Sequence, residues 1–398
     1  MSKSNETTPN VPTLRFPNYS GEWQVSSMGK VCTFRKGYGI SKENLSSDGT
    51  LCILYGELYT TYKTAIAKRI KSKTSLDPTT LFHSKKNDVI IPCSGETAED
   101  IATSVCIPYD DILLGGDLTV IRSDLDGAFL SNQINSVRKY DIARIAQGKS
   151  IVHLQADELK KISIAYPTID EQQKISGFID KIDERIEVQN KIISKYETLI
   201  KGISCDYFSK QPNHIAKLKD LIIKGKAGGT PSSTVAEYYN GDIPFLSISD
   251  MTKQGKYVEF TEKHISENGL ANSSAWIVPS NSLILSMYAS VGLVCINKVP
   301  LATSQAMFSM VLKDCNMLDY IYYYLNFFRE TQIHRLLETG TQSNINADTV
   351  RDIEIPFYSN ILVFVKTLQA IENRLNNEKD MLSRLMDLKT YLLSSLFI

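Results

Sequence analysis

Basic and tyrosine side chains are concentrated in one stretch of the first half of this 398-residue chain. Lys and Arg neutralise phosphates, and a tyrosine can hydrogen-bond a phosphate oxygen or pack against a sugar. These residue types therefore offer the chemistry of contact with a nucleic-acid backbone. Taken alone, such a run is most often a solvated surface. The stretch comprises Tyr59, Tyr62, Lys63, Lys68, Arg69, Lys71 and Lys73, with Lys85 and Lys86 downstream.

Glycine-containing turns with basic flanks occur at corresponding places in the two halves of the chain. Glycine lets backbone N–H groups approach an anionic backbone closely. The recurrence of this pattern favours phosphate binding at both turns. The first turn, Gly37–Gly39, has Lys36, Tyr38 and Lys42 within or beside it, and the second, Gly228–Gly229, has Lys224, Lys226, Thr230 and Ser232.

Small polar and amide side chains near the ends of predicted strands are candidates for contact with base edges. Gln and Asn can bond adenine through two hydrogen bonds, and Ser or Thr can contact several bases. The alternative for each residue is turn formation or helix capping. The candidates are Tyr55, Ser94 and Thr97 in the first half and Ser249, Tyr288, Ser290 and Gln305 in the second.

Motifs for catalysis, metal binding and membrane insertion are missing from the sequence. There is no GxxxxGK[ST] phosphate loop, no HExxH and no GxSxG, and the five histidines are isolated. The seven cysteines occur singly, which disfavours a zinc cluster and favours a reducing compartment. Lys+Arg and Asp+Glu are equal at 44 each, so a basic coat over the whole chain is excluded. We expect a cytoplasmic binding protein without catalytic residues, metal ligands, signal peptide or membrane segment.

The chain is built twice, since residues 28–203 align with residues 218–392 at an offset of about 189 to 192. Each copy begins with short strand-like runs separated by turn residues and ends in a long helical pattern. Strands are predicted at 50–55, 88–92, 118–121, 243–248, 282–287 and 293–296, and shorter helices at 129–145 and 318–328. A duplicated chain commonly serves a duplicated target or a two-fold arrangement of partners.

The long helical patterns carry apolar seams with a period of 3.5 residues, which is typical of a coiled coil. The first helix opens with acidic residues after Pro167, and the second is predicted over residues 364–396. Antiparallel packing would place Gln189 opposite Glu378, and such a polar pair would set the register. The alternative is that each residue lies on a solvated face. The seams contain Ile182, Ile186, Gln189 and Ile193 in the first copy and Ile371, Leu375, Glu378 and Leu382 in the second.

We therefore predict an α+β fold with two similar globular domains, separated by two long helices that pack as an antiparallel coiled coil. The repeat is expected to have pseudo-two-fold symmetry. The predicted segments are a flexible leader at 1–20, globular domains at 21–165 and 211–357, a central helix at 166–210 and a C-terminal helix at 358–398.

This layout resembles the specificity subunits of Type I restriction–modification systems. The second copy departs from the resemblance at its helix opener, where Ile361-Leu362-Val363-Phe364 replaces the acidic and amide residues. The resemblance adds Gln342 to the candidate DNA contacts. It is carried by Leu14-Arg15-Phe16-Pro17, Gly21-Glu22-Trp23, Asp170-Glu171-Gln172-Gln173-Lys174-Ile175, Gly228-Gly229-Thr230-Pro231, Ile243-Pro244-Phe245-Leu246, Gly340-Thr341-Gln342 and Ile353-Glu354-Ile355-Pro356.

The resemblance implies a non-catalytic DNA-binding subunit. Each globular domain would be a target recognition domain for one half of a bipartite DNA site, and the two helices would set the spacer. Two methyltransferase subunits would dock along the repeats, and restriction/motor subunits would join the assembled complex. S-adenosylmethionine, ATP and Mg²⁺ would then be bound by the partners. A coiled-coil protein–protein scaffold without sequence-specific DNA binding is the alternative.

Overall fold

The computed structural model describes residues 10–148, 152–336 and 344–398 of the chain. The contacts divide the chain into two compact units. Unit 1 comprises Met1–Ile192 with Glu378–Ile398, and unit 2 comprises Ile193–Asn377. Each unit therefore combines one globular half with a segment of both long helices.

Unit 1 is built around a four-stranded antiparallel sheet in the order β2-β10-β6-β8. Strand β6, DVIIP, is buried along its whole length because side chains on both faces of the sheet are covered. Val89 and Ile91 point into one apolar cluster, and Ile90 points into another, as the two-residue period of a strand requires. The strands of unit 1 are β1 (Gln24–Ser27), β2 (Cys32–Lys36), β3 (Leu45–Ser46), β4 (Thr50–Ile53), β5 (Lys73–Thr74), β6 (Asp88–Pro92), β7 (Ser94–Gly95), β8 (Val105–Ile107), β9 (Leu113–Leu114), β10 (Leu118–Ser123), β11 (Val152–His153) and β12 (Ser163–Tyr166).

Most short helices of unit 1 cover the face of this sheet that carries Val89 and Ile91, whereas α2 packs on the opposite face through Leu58. Helix α4 begins where the Asp126 side chain accepts a hydrogen bond from the backbone of Phe129. The helices are α1 (Met28–Val31), α2 (Glu57–Thr60), α3 (Ala98–Ile101), α4 (Gly127–Asn135), α5 (Lys139–Ile145) and α6 (Ala156–Leu159).

Unit 2 repeats this plan with a five-stranded sheet in the order β14-β21-β18-β19-β16. Leu283 and Leu285 of β18 face one apolar cluster and Ile284 faces the other, so this sheet is also covered on both faces. The strands are β13 (His214–Lys217), β14 (Ile222–Ala227), β15 (Ile243–Leu246), β16 (Tyr257–Val258), β17 (Lys263–Ile265), β18 (Leu283–Ser286), β19 (Val294–Asn297), β20 (Ala302–Thr303), β21 (Met307–Leu312) and β22 (Glu354–Phe357).

Two long helices follow the globular halves. The central helix α7 runs over Ile169–Phe208 and the C-terminal helix α13 over Ile361–Ser395. Helix α13 thus begins three residues before the predicted start, so the apolar opener of the second copy is itself helical. The strand predicted at 243–248 is shorter than expected, because Ser247 caps a helix that starts at Ile248. The remaining helices are α8 (Leu218–Leu221), α9 (Ile248–Gln254), α10 (Glu267–Ala271), α11 (Leu318–Thr331) and α12 (Ala347–Arg351).

The flexible leader predicted at 1–20 is wrong for the residues that the structure describes. The backbone of Leu14 bonds Ser395, and the Arg15 guanidinium forms two 2.8 Å hydrogen bonds with the carboxylate of Glu171. Phe16 packs edge-on against Phe178 of α7. Apolar and ionic contacts with both long helices therefore hold this segment in place, and residues 1–9 lie outside the described part of the chain.

Within unit 1, the start of α7 packs antiparallel to the end of α13. Ile175 and Ile179 share an apolar cluster with Leu392 and Leu396, and Lys389 forms a 2.6 Å ion pair with Asp183 farther along α7. Each residue of the predicted seams is buried or half-buried. Within unit 2, Tyr207 near the end of α7 stacks on Phe364 at the start of α13.

The predicted polar pair is present in unit 1. Nε2 of Gln189 donates to the main-chain oxygen of Glu378 at 3.0 Å and also to its carboxylate. Gln189 is fully buried, and its Oε1 atom has no hydrogen-bond partner among the described residues. The pair is therefore a directional contact that opposes sliding of the two helices along their apolar seam. The unpaired Oε1 atom of Gln189 reduces the stability that the pair contributes.

Replacing Glu378 by leucine should destabilise unit 1 by about 1–2 kcal/mol, because the buried amide of Gln189 loses the carboxylate and keeps only the main-chain oxygen of residue 378 as its acceptor. In a Gln189→Leu background the same change should cost little, since no amide remains to be satisfied. The double-mutant cycle is measured by urea unfolding in a Trp276→Phe background, which leaves Trp23 of unit 1 as the reporter. Additive effects would contradict the pair, and Val188→Leu, at an exposed neighbouring position, serves as the uncoupled control.

Candidate nucleic-acid interface

Four of the predicted contact residues in unit 2 lie along one edge of its main sheet. Strands β14, β21, β18 and β19 are neighbours and antiparallel, so the end of β14, the start of β21, the end of β18 and the start of β19 share this edge. The backbone of Met287 donates to Ala306 at 2.8 Å and joins two of the loops. We call Thr230, Tyr288, Ser290 and Gln305 the polar edge of unit 2; all four are exposed.

The loops that carry this polar edge are constrained by backbone geometry. Ala289 and Ser290 have positive φ angles of 35° and 52°, a conformation that costs energy for residues other than glycine. The buried hydroxyl of Ser286 holds the loop by donating to the main-chain oxygens of Tyr288 and Ala289. On the adjacent turn, Thr230 donates to the side-chain oxygen of Gln305. These contacts present polar groups in a fixed arrangement, as base recognition requires.

The glycines of the second turn have a different role from the one predicted. The N–H of Gly228 donates to Met307 at 3.1 Å and that of Gly229 donates to Thr303 at 2.9 Å. A Cβ atom on Gly228 would lie 1.9 Å from the main-chain oxygen of Thr303. The glycines therefore allow two backbone segments to pack together, and their N–H groups are not available to an anion.

The lysines that precede this turn differ in their surroundings. Nζ of Lys224 lies 4.0 Å from the centre of the Trp276 ring, a cation–π contact that holds the ammonium against the protein. Lys226 is exposed on the edge strand β14, one residue before its end. Trp276 was not among the sequence candidates, because a single tryptophan far along the chain carries no local signal. Of the two lysines, Lys226 is the better placed for a phosphate.

The remaining candidates of unit 2 have mixed outcomes. Ser232 is exposed and bonds Thr234, as a turn residue does. Ser249 is exposed in the first turn of α9 rather than at a strand end. Gln342 lies outside the described residues.

Unit 1 has an equivalent edge, formed by the end of β2, the start of β10 and the end of β6. Lys36 ends β2, and Tyr38 follows it with half of its side chain exposed and its ring 6.3 Å from that of Phe82. Ser94 bonds the ring of His153 at 3.2 Å. We call Lys36, Tyr38, Ser94 and Thr97 the polar edge of unit 1, although Thr97 is also engaged in capping α3.

The basic and tyrosine-rich stretch does not act as one surface. Tyr62 is buried in an apolar cluster, burial raises the pKa of its hydroxyl, and it is therefore wrong as a DNA contact. Tyr55 and Tyr59 are half-buried. Lys63 is exposed and donates to the main-chain oxygen of Tyr59 at 3.1 Å, and Lys42 is exposed in a short turn.

Two further basic residues of this stretch form ion pairs with acidic residues of α7. Nζ of Lys68 lies 2.6 Å from Asp180 and 2.9 Å from Glu184, and Arg69 lies 3.9 Å from Glu187. They bind the globular half of unit 1 to its long helix. Because the acidic partners lie more than 100 positions away, the sequence pattern of the stretch could not distinguish this role from phosphate binding.

A shallow groove beside Tyr38 contains Arg122, a basic residue that the sequence candidates omitted. Arg122 makes two 2.6 Å hydrogen bonds to the fully buried Asp88, which raise the pKa of the guanidinium and fix it at the groove wall. The groove is lined by Arg35, Phe82, His83, Ser84, Lys85, Asp110, Asp111 and Arg122. These residues come from four separate segments, so only the fold brings them together.

Among the described residues, no cluster of His, Cys, Asp and Glu has the geometry to hold a metal ion. The helices in this part of the chain are all too short or too polar to cross a membrane.

Two copies of an α+β domain, each with a polar edge and each joined to long helices, define a duplicated binding module. Residues 20–198 and 212–379 each match the family model of the Type I restriction modification DNA specificity domain. These matches cover most of the chain, which therefore belongs to this family.

Individual relatives share shorter stretches. The chain is 30% identical over 147 residues to the Type I restriction enzyme MjaIX specificity subunit of Methanocaldococcus jannaschii, covering 36% of this chain and 34% of that protein. It is 31% identical over 180 residues to the Type I restriction enzyme HindI specificity subunit of Haemophilus influenzae, covering 43% of this chain and 38% of that protein. The aligned stretches span little more than a third of either relative.

A crystal structure of the S subunit of a Type I restriction–modification system from M. genitalium is similar over nearly the full length. The two share a TM-score of 0.62 at 16% identity, covering 98% of this chain and 99% of the other. At this identity the likeness concerns the fold alone. It supports the predicted α+β architecture with an internal repeat.

Proposed function

We propose that this chain is the DNA sequence-recognition subunit of a Type I restriction–modification complex. The observation that carries the proposal is the repetition of one arrangement: each unit ends its main sheet in polar side chains that lie beside an exposed lysine, Lys36 in unit 1 and Lys226 in unit 2. A lysine can contact phosphate while the neighbouring polar side chains contact bases. Two such edges suit a bipartite site with one half for each unit.

The chain itself has no catalytic part in this proposal. It would bring two methyltransferase subunits to DNA, and restriction/motor subunits would join the assembled complex. S-adenosylmethionine, ATP and Mg²⁺ would be bound by those partners, and the complex would act in the cytoplasm. The two long helices would form an antiparallel coiled coil that sets the spacer between half-sites. The seven free cysteines fit a reducing compartment.

Methylome sequencing of cells with and without the gene tests the proposal. We expect a bipartite methylated motif that disappears with the gene and returns when the gene is restored. A complex that assembles without any gene-dependent methylation would instead support the coiled-coil scaffold. That alternative has no explanation for the constrained polar edges of the two units.

Reversing the charge of Lys226 to glutamate should weaken DNA binding by about tenfold for all sequences and lower the salt slope by about 1, because one phosphate contact is lost. The measurement is a duplex titration over a series of salt concentrations, with the chain assembled with its methyltransferase partners. Lys366→Glu, an equal change at an exposed position of α13, is the matched control. Equal effects of the two substitutions would contradict the assignment.

Gln305→Ala provides the contrast for this experiment. Loss of a base contact costs about 1–3 kcal/mol on the cognate site only. The variant should therefore relax sequence preference in one half-site, whereas Lys226→Glu leaves preference unchanged. A uniform loss with Gln305→Ala would remove this residue from base recognition.

A further inference from the structure

A buried lysine joins three elements of unit 2. Lys256 lies between α9 and β16, and its side chain is only 10% exposed. Nζ is 2.8 Å from Asp319 of α11, 2.7 Å from Glu372 of α13 and 2.8 Å from the hydroxyl of Tyr323. The ammonium donates hydrogen bonds to Tyr323 and Glu372 and forms an ion pair with Asp319.

The acidic partners of Lys256 are themselves fully engaged. Asp319 also accepts hydrogen bonds from Tyr257 at 3.2 Å and from Gln369 of α13 at 2.7 Å. Glu372 also accepts from Tyr323. Helix α13 is thus held through Gln369 and Glu372, which lie three residues apart and so face the same side.

Lys256 and Asp319 keep their charges around neutral pH. Burial opposes the charge on Lys256, but Glu372 and Asp319 outweigh burial and raise the pKa of the ammonium above its ordinary value. Burial also acts against the charge of Asp319, yet the hydrogen bonds and charge of Lys256 leave the pKa of that carboxyl lowered. Both ions therefore remain charged across the physiological range.

Apolar contacts also join the globular half of unit 2 to α13. Phe364 and Leu368 of α13 lie in the main core cluster. Apolar packing is non-directional and tolerates small rotations and shifts, whereas hydrogen bonds between charged groups have preferred geometry. Buried ionic groups are best known for fixing register rather than for adding stability. The Lys256 cluster is therefore a directional contact between the globular half and α13.

Unit 1 has a weaker version of the same arrangement. Lys68 of its globular half contacts Asp180 and Glu184 of α7. Its side chain is 39% exposed, compared with 10% for Lys256. Water screens such an exposed pair, so it holds its helix less firmly.

We propose that Lys256 is a positioning residue that holds the second recognition domain at a fixed angle to α13 and thereby restricts the spacer length that the complex accepts. This inference rests on the proposed function, in which each unit contacts one half-site. One added base pair moves a half-site by about 3.4 Å and turns it by roughly 35°. A domain held at a fixed angle rejects such a shift, and a domain that can rotate accepts it.

The test is a methylome of cells that carry the complex with Lys256→Met. We expect both half-site sequences to be unchanged, while methylation of sites with a spacer one base pair longer or shorter rises about tenfold relative to the parent spacer. Lys68→Met is the matched control and should broaden the spacer less. Equal broadening by the two variants would overturn the special role of Lys256.

A second variant separates positioning from stability. Lys256→Met leaves two half-buried carboxylates without a cation, whereas Lys256→Met with Asp319→Asn and Glu372→Gln removes those charges. The triple variant should have a urea unfolding midpoint close to that of the parent, measured by Trp276 fluorescence in a Trp23→Phe background. It should still methylate sites with the longer and shorter spacers. If both variants methylated only sites with the parent spacer length, the proposal would be overturned. A parent complex without any bipartite methylated motif would overturn the proposed function together with this inference.

Discussion

Replacing Gly228 by alanine is expected to destabilise unit 2 by about 3 kcal/mol, in the upper range for an overpacked site. The added Cβ atom would lie 1.9 Å from the main-chain oxygen of Thr303 and 2.4 Å from its carbonyl carbon. Backbone atoms cannot rotate away, so one of the two chain segments must shift. That shift would also break the 2.9 Å hydrogen bond from Gly229 to Thr303 and separate Thr230 from Gln305.

The effect is measured by urea unfolding in a Trp23→Phe background, where Trp276 reports on unit 2. Trp276 suits this purpose because it is buried in an apolar cluster of that unit. The matched control is Gly202→Ala in α7, where no atom would lie within 4 Å of the new Cβ. Alanine there should raise the stability of unit 2 by about 0.5–1 kcal/mol, because it reduces the backbone entropy of the unfolded chain. If Gly228→Ala were as harmless as the control, the close backbone approach would be wrong.

The second large effect is expected for Arg15→Ala, which should destabilise unit 1 by about 3 kcal/mol because it leaves a buried carboxylate without its cation. Glu171 is 1% exposed and accepts both 2.8 Å hydrogen bonds from Arg15. The hydrogen bond to Glu171 and the charge of that carboxylate raise the pKa of the guanidinium. Loss of Arg15 also releases the segment that covers the start of α7.

Unfolding of unit 1 is followed by Trp23 in a Trp276→Phe background. Arg185→Ala, at an exposed position of the same helix, should change stability by less than about 0.5 kcal/mol. Replacing Arg15 and Glu171 together by methionine should recover most of the loss, since no charge then remains buried. A double variant no better than Arg15→Ala would mean that packing, rather than the buried charge, holds this segment.

The two copies of the repeat differ at the corresponding helix start. In unit 1, Gln172 accepts a 2.9 Å hydrogen bond from the backbone of Asp126 and donates to Pro167 at 2.8 Å. In unit 2, the start of α13 exposes Leu362 and Val363. Polar contacts therefore hold the first helix start, whereas the aromatic stack of Tyr207 on Phe364 holds the second.

Periodicity in the sequence predicted the elements well where the pattern was long or fully apolar. The strand predicted at 88–92 coincides with β6, and the helical predictions led to α4, α5, α11 and both long helices. The pairing of Gln189 with Glu378 also followed from counting along the two seams. In each case the signal lies within a single segment or repeats at a constant interval.

Individual contact residues were predicted less well, because their roles depend on neighbours distant in sequence. Tyr62 is in a basic stretch but is buried, and Lys68 binds acidic residues of α7. Gly228 looked like an anion-binding turn and instead accommodates Thr303. The Lys256 cluster joins residues from three separate elements and has no local pattern at all.

The sequence by itself determined the duplication, the α+β class, the two long helices and the register of their central polar pair. These features follow from side-chain periodicity and local propensity, which act over a few residues. Only the tertiary structure decided which lysines are free for phosphate, which glycines allow close packing and which charges hold a domain to its helix. Burial and charge pairing depend on the residues that surround a side chain in space. Many of those residues are distant in sequence, so the local sequence does not reveal them.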